Sequence, residues 1–264
     1  MKNFIELWLQ TVKKKNSILC VGIDPAEHGQ RPSRALKANE SKVEWSKNLI
    51  KEIAPYAAAI KPNRNYFKDL SRAELKEIND YAKSFGLLSI DDSKIADIGD
   101  TNDSAIYHAA KEGFDYITYA PFPGNIEATC EQSHRHEVGL ITLALMSSPE
   151  YELIKNAKIN GEDAYKVFCQ KVSKANGAGV VIGAPSDKNH LQISEIEAAK
   201  EILGDKLVLV PGVGAQGGDC KEIIRVFGDN SMINVGRAIA YSDNPAAEAK
   251  KYQEEFNAIR KDFS

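Results

Sequence analysis

The chain has 264 residues, 43% hydrophobic and 27% charged, with 34 Lys and Arg against 37 Asp and Glu for a net charge of −3. That length supports a large core without disulfide or metal staples, and that balance excludes a disordered chain. No global positive field draws the protein to nucleic acid or an anionic membrane, so an anionic ligand must be held by a local cluster.

The first segment, MKNFIELWLQTVKKKN, is amphipathic and ends in lysines. It lacks the charge-then-apolar order of a secretory signal, and no window approaches the ~18 apolar residues of a membrane span. The four cysteines, Cys20, Cys130, Cys169 and Cys220, form no CxxC pair, and a reducing cytoplasm is the expected setting. Eight short apolar runs then recur, at 17–24, 57–62, 87–92, 115–120, 139–145, 178–184, 206–211 and 231–236. Many are β-branched and most end in Asp, Gly or Pro, which predicts buried parallel strands.

Amphipathic segments separate these runs. The polar stretch 25–40 predicts a long solvated loop after the first strand. Leu75, Ile78, Ala82 and Phe85 recur at helical spacing over 71–85, and Ser71 with Glu74 predicts a capping box. Leu191, Ile196, Ala199 and Leu203 mark a helix over 189–203, and Ala with Glu and Lys marks another over 245–260. Gly86, Gly113, Gly177 and Gly204 predict left-handed caps. Trp8 and Trp45 fall in predicted helices as packing residues, and the five histidines lie off the strand ends. The repeat of strand and helix, without a composition break, predicts one (β/α)8 TIM barrel over 1–264, with an open doubly wound sheet as the alternative.

Catalytic groups of such a barrel sit at the C-terminal ends of its strands. The third strand ends in SIDDSKIADIGDTN, residues 89–102. Alternation puts Ile90, Asp92 and Lys94 on one face, so Asp92 and Lys94 project into the mouth together if Ile90 packs inside. Asp97 lies beyond the strand, on the loop or first turn that follows. The second strand adds Lys61 at its end and the first adds Asp24. An alternating acid–base array gives each buried charge a partner; a purely structural salt-bridge network is the bland alternative.

The other half of the predicted barrel offers a phosphate site. PGVGAQGGD, residues 211–219, follows the seventh strand, where Gly212, Gly214, Gly217 and Gly218 let backbone N–H groups approach a ligand. NVGRAI, residues 234–239, closes the eighth strand with Gly236 for close approach and Arg237 for a bidentate grip.

Together these residues resemble the orotidine 5′-monophosphate decarboxylase family across nearly the whole barrel. The most specific part is D-x-K-x-x-D, here Asp92, Lys94 and Asp97, extended through Ile98 and Thr101. Asp24, Lys61, the MSSP turn at 146–149, PGVGAQGG and Gly236–Arg237 also match. The resemblance implies that Lys94 protonates the carbon vacated by carbon dioxide, and that Asp92 faces the departing carboxylate and orients Lys94. It implies that Asp24 and Lys61 bind ribose and complete the charge array. Asp97 and Thr101 are expected to reach the neighbouring subunit's site in a homodimer. Ser147, with Ser148 as the alternative, would meet the pyrimidine. Gln216 would span pyrimidine and phosphate, and Arg237 would hold phosphate. The expected partner is a small-molecule nucleotide, with no cofactor and no metal. The sequence departs from compact members at loop 25–40 and in KPNRNYF after Lys61.

Two other readings remain. Gulonate-phosphate decarboxylases and hexulose-phosphate synthases share the barrel and D-x-K-x-x-D but use magnesium, with an acidic ligand at the end of the second strand, where Lys61 stands here. A non-catalytic nucleotide-binding barrel would have no need of the intact Asp92–Lys94 pair.

Overall fold

The computed structural model describes residues 2–30, 36–37, 39–187, 189–214 and 218–262. Five strands come first: β1 (Leu19–Ile23), β2 (Ala59–Pro62), β3 (Leu88–Ile95), β4 (Tyr116–Tyr119) and β5 (Gly139–Leu145). A two-stranded antiparallel hairpin follows, β6 (Lys158–Ile159) and β7 (Glu162–Asp163). The sixth to eighth barrel strands are β8 (Gly179–Ile182), β9 (Leu207–Val210) and β10 (Ser231–Val235). All eight barrel strands run parallel and close in the order β1-β2-β3-β4-β5-β8-β9-β10. The expected (β/α)8 barrel is therefore the fold, and the open sheet is excluded by the β1–β10 seam, where Leu19, Cys20 and Val21 pair with Ile233, Asn234 and Val235.

The seam is tight because it carries little side chain. A Cβ built on Gly22 would lie 3.0 Å from the Cα of Gly236. Two glycines thus face each other where the first and last strands deliver their loops to the mouth. Strand burial is nearly continuous, as expected for strands covered on both faces.

Helix α1 (Phe4–Lys15) lies across the N-terminal end of the barrel. Tyr116 Oη donates to the Phe4 carbonyl at 2.7 Å, and Trp8 Nε1 donates to the Asp229 carbonyl at 2.7 Å. Trp8 is fully buried. The outer layer continues with α2 (Lys42–Ile53), α3 (Arg72–Ser84), α4 (Gly99–Lys111) and α5 (Ile126–Arg135). The short α6 (Glu152–Lys155) precedes the hairpin, and α7 (Ala164–Lys174), α8 (Ile193–Leu203), α9 (Lys221–Phe227), α10 (Arg237–Ala240) and α11 (Pro245–Asp262) follow it.

The capping box at Ser71 and Glu74 forms as expected and starts α3. Phe85 departs from the expected apolar stripe. It is the C-cap residue, 37% exposed, and stands edge-on to Tyr81 with ring centroids 5.2 Å apart. Gly86, Gly113 and Gly204 take positive φ as expected, but Gly177 does not. Asn176 takes the left-handed position with φ 54°, and Gly177 serves packing instead: its Cβ would lie 3.0 Å from Val172 Cγ1 and 3.2 Å from Cys130 Sγ. The hairpin was not expected, although Asn160 and Gly161, with φ of 53° and 87°, form the dipeptide most suited to a two-residue turn. In the loop 25–40, residues 31–35 and 38 lie outside the described residues. The rest is not wholly solvated: Leu36 is buried and its N–H donates to the Ala26 carbonyl at 2.8 Å.

Gly22→Ala should force the β1–β10 seam apart and cost about 1–3 kcal/mol. Urea unfolding monitored by circular dichroism would show it as a lower midpoint at unchanged slope.

Candidate active site

The site starts from an irregularity in β3. Ile90 pairs with Tyr116 and Asp91 with Ile117, but the next partner of β4, Tyr119, meets Ile95. Four steps along β3 are thus matched by two along β4, and the surplus forms a bulge. Lys94 lies in it with φ 49°, a left-handed conformation uncommon for a residue with a Cβ. Its N–H donates at 2.9 Å to Oγ1 of Thr118 on β4. The apolar run at 87–92 therefore marks only part of the strand. Asp92 and Lys94 do meet at the mouth, as simple alternation predicts, but the bulge is what delivers Lys94.

One carboxylate organises the mouth. Asp92 Oδ2 accepts from Lys61 Nζ, and Asp92 Oδ1 accepts from Lys94 Nζ. Lys61 and Asp92 are each 6% exposed, whereas the Lys94 side chain is 41% exposed. Burial pushes the Asp92 carboxyl up, but Lys61 and Lys94 together outweigh it and hold it well below the usual carboxylate range. Burial disfavours the Lys61 ammonium, but Asp92 and then Asp24 more than compensate, so its pKa is raised. Asp24, at the end of β1, is half-buried. Lys61, Asp92, Lys94 and Asp24 are thus brought together as expected.

The mouth has further parts. Asp97 and Thr101 are both exposed, and among the described residues Asp97 pairs with no Lys or Arg. The buried Asn102 pins this loop, accepting from the Asp97 N–H at 3.1 Å and donating to the Asp97 carbonyl at 2.5 Å. Ser147 follows β5, and its backbone fills the space a side chain on Gly183 would need, 2.6 Å from that Cβ position. In the loop after β9, Gly212 and Gly214 have φ of 97° and 82°, and the Gly218 N–H donates to the Gly212 carbonyl at 3.1 Å. Gln216 and Gly217 lie outside the described residues. Gly236 precedes α10, and Arg237, its first residue, is exposed. Tyr241 ties the loops after β1 and β10, donating to the Asp24 carbonyl at 2.5 Å and accepting from the Ala26 N–H at 2.9 Å. Trp45 packs against its ring with centroids 5.6 Å apart.

His108, His134, His136 and His190 contact Arg72, the Asn176 carbonyl, Asp103 and Glu152, away from the array. Among the described residues no group of three or more His, Cys, Asp or Glu is placed to hold a metal ion. No helix is long and apolar enough to cross a membrane.

Sequence reasoning missed Thr118, Asn102, Tyr241 and Asp91. Thr118 was visible as a polar residue inside a buried apolar run. Asp91 was visible too: in a strand, two adjacent aspartates must face opposite ways. It is 2% exposed, on the other side of β3 from Asp92. Burial pushes its carboxyl up to about 7, although nearby Arg64, itself paired to Glu112 at 2.5 Å, acts in the opposite direction.

A closed barrel with lysines and aspartates from adjacent strands converging on one mouth, and glycine turns across it, defines a barrel enzyme with a preformed charge array. The chain belongs to the orotidine 5′-phosphate decarboxylase / HUMPS family, whose pattern matches residues 17–252. The orotidine 5′-phosphate decarboxylase of Ralstonia nicotianae is 30% identical, over 94% of each chain. That of Parabacteroides distasonis is 31% identical, over 97% of this chain and 93% of its own. The Leishmania donovani OMP decarboxylase structure superposes with a TM-score of 0.81 at 26% identity, over 98% of this chain and 99% of that one. These relatives are carboxy-lyases.

Asp91 generates a pH prediction. Its folded-state pKa of about 7 lies above the ordinary 3.8, so between these values the folded form keeps a proton that the unfolded chain has released. The cost of Asp91 therefore grows as pH rises through this window and is complete above about 7. As pH rises from 5 to 8, Asp91→Asn should gain about 3 kcal/mol of stability relative to wild type. Urea titrations at four pH values would test this; parallel pH profiles for the two proteins would contradict it.

Proposed function

We propose that the protein decarboxylates orotidine 5′-monophosphate to uridine 5′-monophosphate in pyrimidine biosynthesis, without a cofactor, and that Lys94 protonates the vacated ring carbon. The observation that carries this reading is the Asp92 carboxylate held between Lys61 and Lys94 at the barrel mouth. Loss of carbon dioxide leaves an electron pair on a ring carbon with no obvious sink. An ammonium already fixed beside that carbon meets the charge as it forms, without reorganising. Lys94 then gives its proton to that carbon, completing the new C–H bond, and takes another from solvent before the next turnover. At about 4 Å and an effective dielectric near 20, one charge pair is worth roughly 4 kcal/mol, or about three powers of ten in rate. Lys94 alone is therefore insufficient for a difficult decarboxylation, and remote binding energy must exclude water and close the site.

The remaining roles follow from position. Asp92 faces the departing carboxylate and orients Lys94. Asp24 and Lys61 bind the ribose, Ser147 meets the pyrimidine, and Gly236 with Arg237 holds the phosphate. Gln216 spans pyrimidine and phosphate from the loop after β9. The protein works as a homodimer, with Asp97 and Thr101 serving the partner's site. Support for this comes from their exposure and from exposed apolar residues on the loops after β3 and β4, Ile98 at 62% and Phe122 at 93%. The cytoplasm is the proposed compartment, in keeping with four buried cysteines that form no disulfide. The magnesium-dependent alternative is disfavoured by Lys61, whose ammonium stands where that chemistry needs an acidic ligand.

Lys94→Ala should keep a wild-type circular dichroism spectrum and lose at least about three orders of magnitude in turnover, read as ultraviolet loss of orotidylate. A variant with a tenth of wild-type turnover would sink the assignment, and a chelator-sensitive wild-type activity would favour the alternative.

The shared site is open to complementation. Lys94→Ala and Asp97→Ala homodimers should each be inactive. After equal mixing and exchange about half the dimers are mixed, each with one intact site of two, so activity should recover to about a quarter of wild type. No recovery, with exchange verified by differently tagged chains, would place Asp97 in its own subunit's site.

A further inference from the structure

Thr118 sits on β4 with 1% of its surface exposed, directly behind the array. Its Oγ1 has three polar neighbours: the Lys94 N–H at 2.9 Å, the Asp91 carbonyl at 3.3 Å and Asp92 Oδ1 at 3.4 Å. A hydroxyl has one proton and two lone pairs. It accepts from Lys94, and its single proton has two acceptors to choose between, the backbone of β3 and the carboxylate that Lys94 itself grips. The same oxygen therefore touches the main chain of Lys94 and the side chain of Asp92.

The bulge explains why such a residue is needed. It takes Lys94 out of the regular β3–β4 ladder, so its N–H has no strand carbonyl opposite, and its left-handed backbone is disfavoured for a residue with a Cβ. Leaving this partly buried N–H without a partner would disfavour it further. The Thr118 hydroxyl satisfies the donor and holds the bulge in the one conformation that returns the Lys94 side chain over Asp92. A valine of equal shape would fill the same space and leave the N–H unpaired.

We infer that Thr118 is a positioning residue: its hydroxyl clamps the left-handed Lys94 backbone and acts as a proton-orienting rotor shared between Asp91 and Asp92. This rests on the reading of Lys94 as the proton donor. When Lys94 passes its proton to carbon, Asp92 Oδ1 loses the charge of its ammonium partner. The Thr118 O–H then turns from the Asp91 carbonyl toward Oδ1, breaking one hydrogen bond and forming another, with no proton changing owner. Reprotonation of Lys94 reverses the turn.

Three proteins test this: wild type, Thr118→Val and Thr118→Ser. Thr118→Val should lower kcat about tenfold to a hundredfold with KM within about threefold of wild type, because the loss falls on the placement of Lys94 rather than on ground-state binding. Thr118→Ser keeps the hydroxyl and should restore kcat to within about threefold. Thr118→Val with wild-type kcat would overturn the inference, as would a serine variant as impaired as the valine one, since the methyl group would then be what matters. Should Thr118→Val fail to fold, the comparison of Ser with Ala decides in the same way. A crystal structure of the Val (or Ala) variant supplies a readout independent of activity: Lys94 should leave positive φ and its contact with Asp92 should open. If wild type lacks orotidylate decarboxylase activity, the functional reading fails by itself, and this structural readout still decides the clamp, retained φ and contact overturning it.

Discussion

The site depends on one buried carboxylate being ionised. Asp92 is almost fully enclosed, and an isolated charge there would be costly. Lys61 and Lys94 make it tolerable, and neither lysine would be well placed without it. The three charges are thus mutually conditional, and each comes from the C-terminal end of a barrel strand. The barrel supplies what such an array requires, namely rigid strands whose ends are fixed by the ladder while the loops beyond them remain open to variation. A charge cluster built on loops would relax around whatever entered. Here the dipoles and charges are set before a ligand arrives, which is the condition for electrostatic stabilisation to cost no rearrangement.

Most of the architecture was legible because strand and helix leave different periods in the chain. Eight apolar runs became eight staves, and Ser71 with Glu74 began a helix where their spacing said it should. What was not legible has a common cause. The β3 bulge, the left-handed Lys94 and the hydroxyl of Thr118 arise from the pairing of two strands, and a reading of either strand alone contains no trace of a register shift. Gly177 and Asn176 make the same point: either residue suits a left-handed cap, and contact with Val172 and Cys130 assigns the glycine to packing. The site's charged residues were visible by type and place, whereas their supports, Asn102 and Tyr241, look like ordinary loop residues until the loops are folded together.

Asp91 and Asp92 show how strongly a strand can separate two identical side chains. They are neighbours in sequence and both buried, yet one is held well below the usual carboxylate range and the other is pushed up to about 7. The difference lies in what each face offers. The inner face presents two ammonium groups, and the outer face presents an arginine already engaged with Glu112. Burial without sufficient compensation leaves Asp91 holding its proton toward neutrality, one residue from a carboxylate that two ammonium groups keep ionised.

Tyr241 gives the mouth a mechanical property. Its hydroxyl grips the chain after β1 at both Asp24 and Ala26, while its own backbone belongs to the segment after β10, and Trp45 backs its ring. The two neighbouring loops are therefore joined through this hydroxyl beside the Gly22–Gly236 seam. Fluctuations of one loop are transmitted to the other, so the freedom lost when either is stilled is largely the same freedom. A molecule that touches both loops would then meet that entropic cost only once, and two fragments bound to separate copies would each meet it in full.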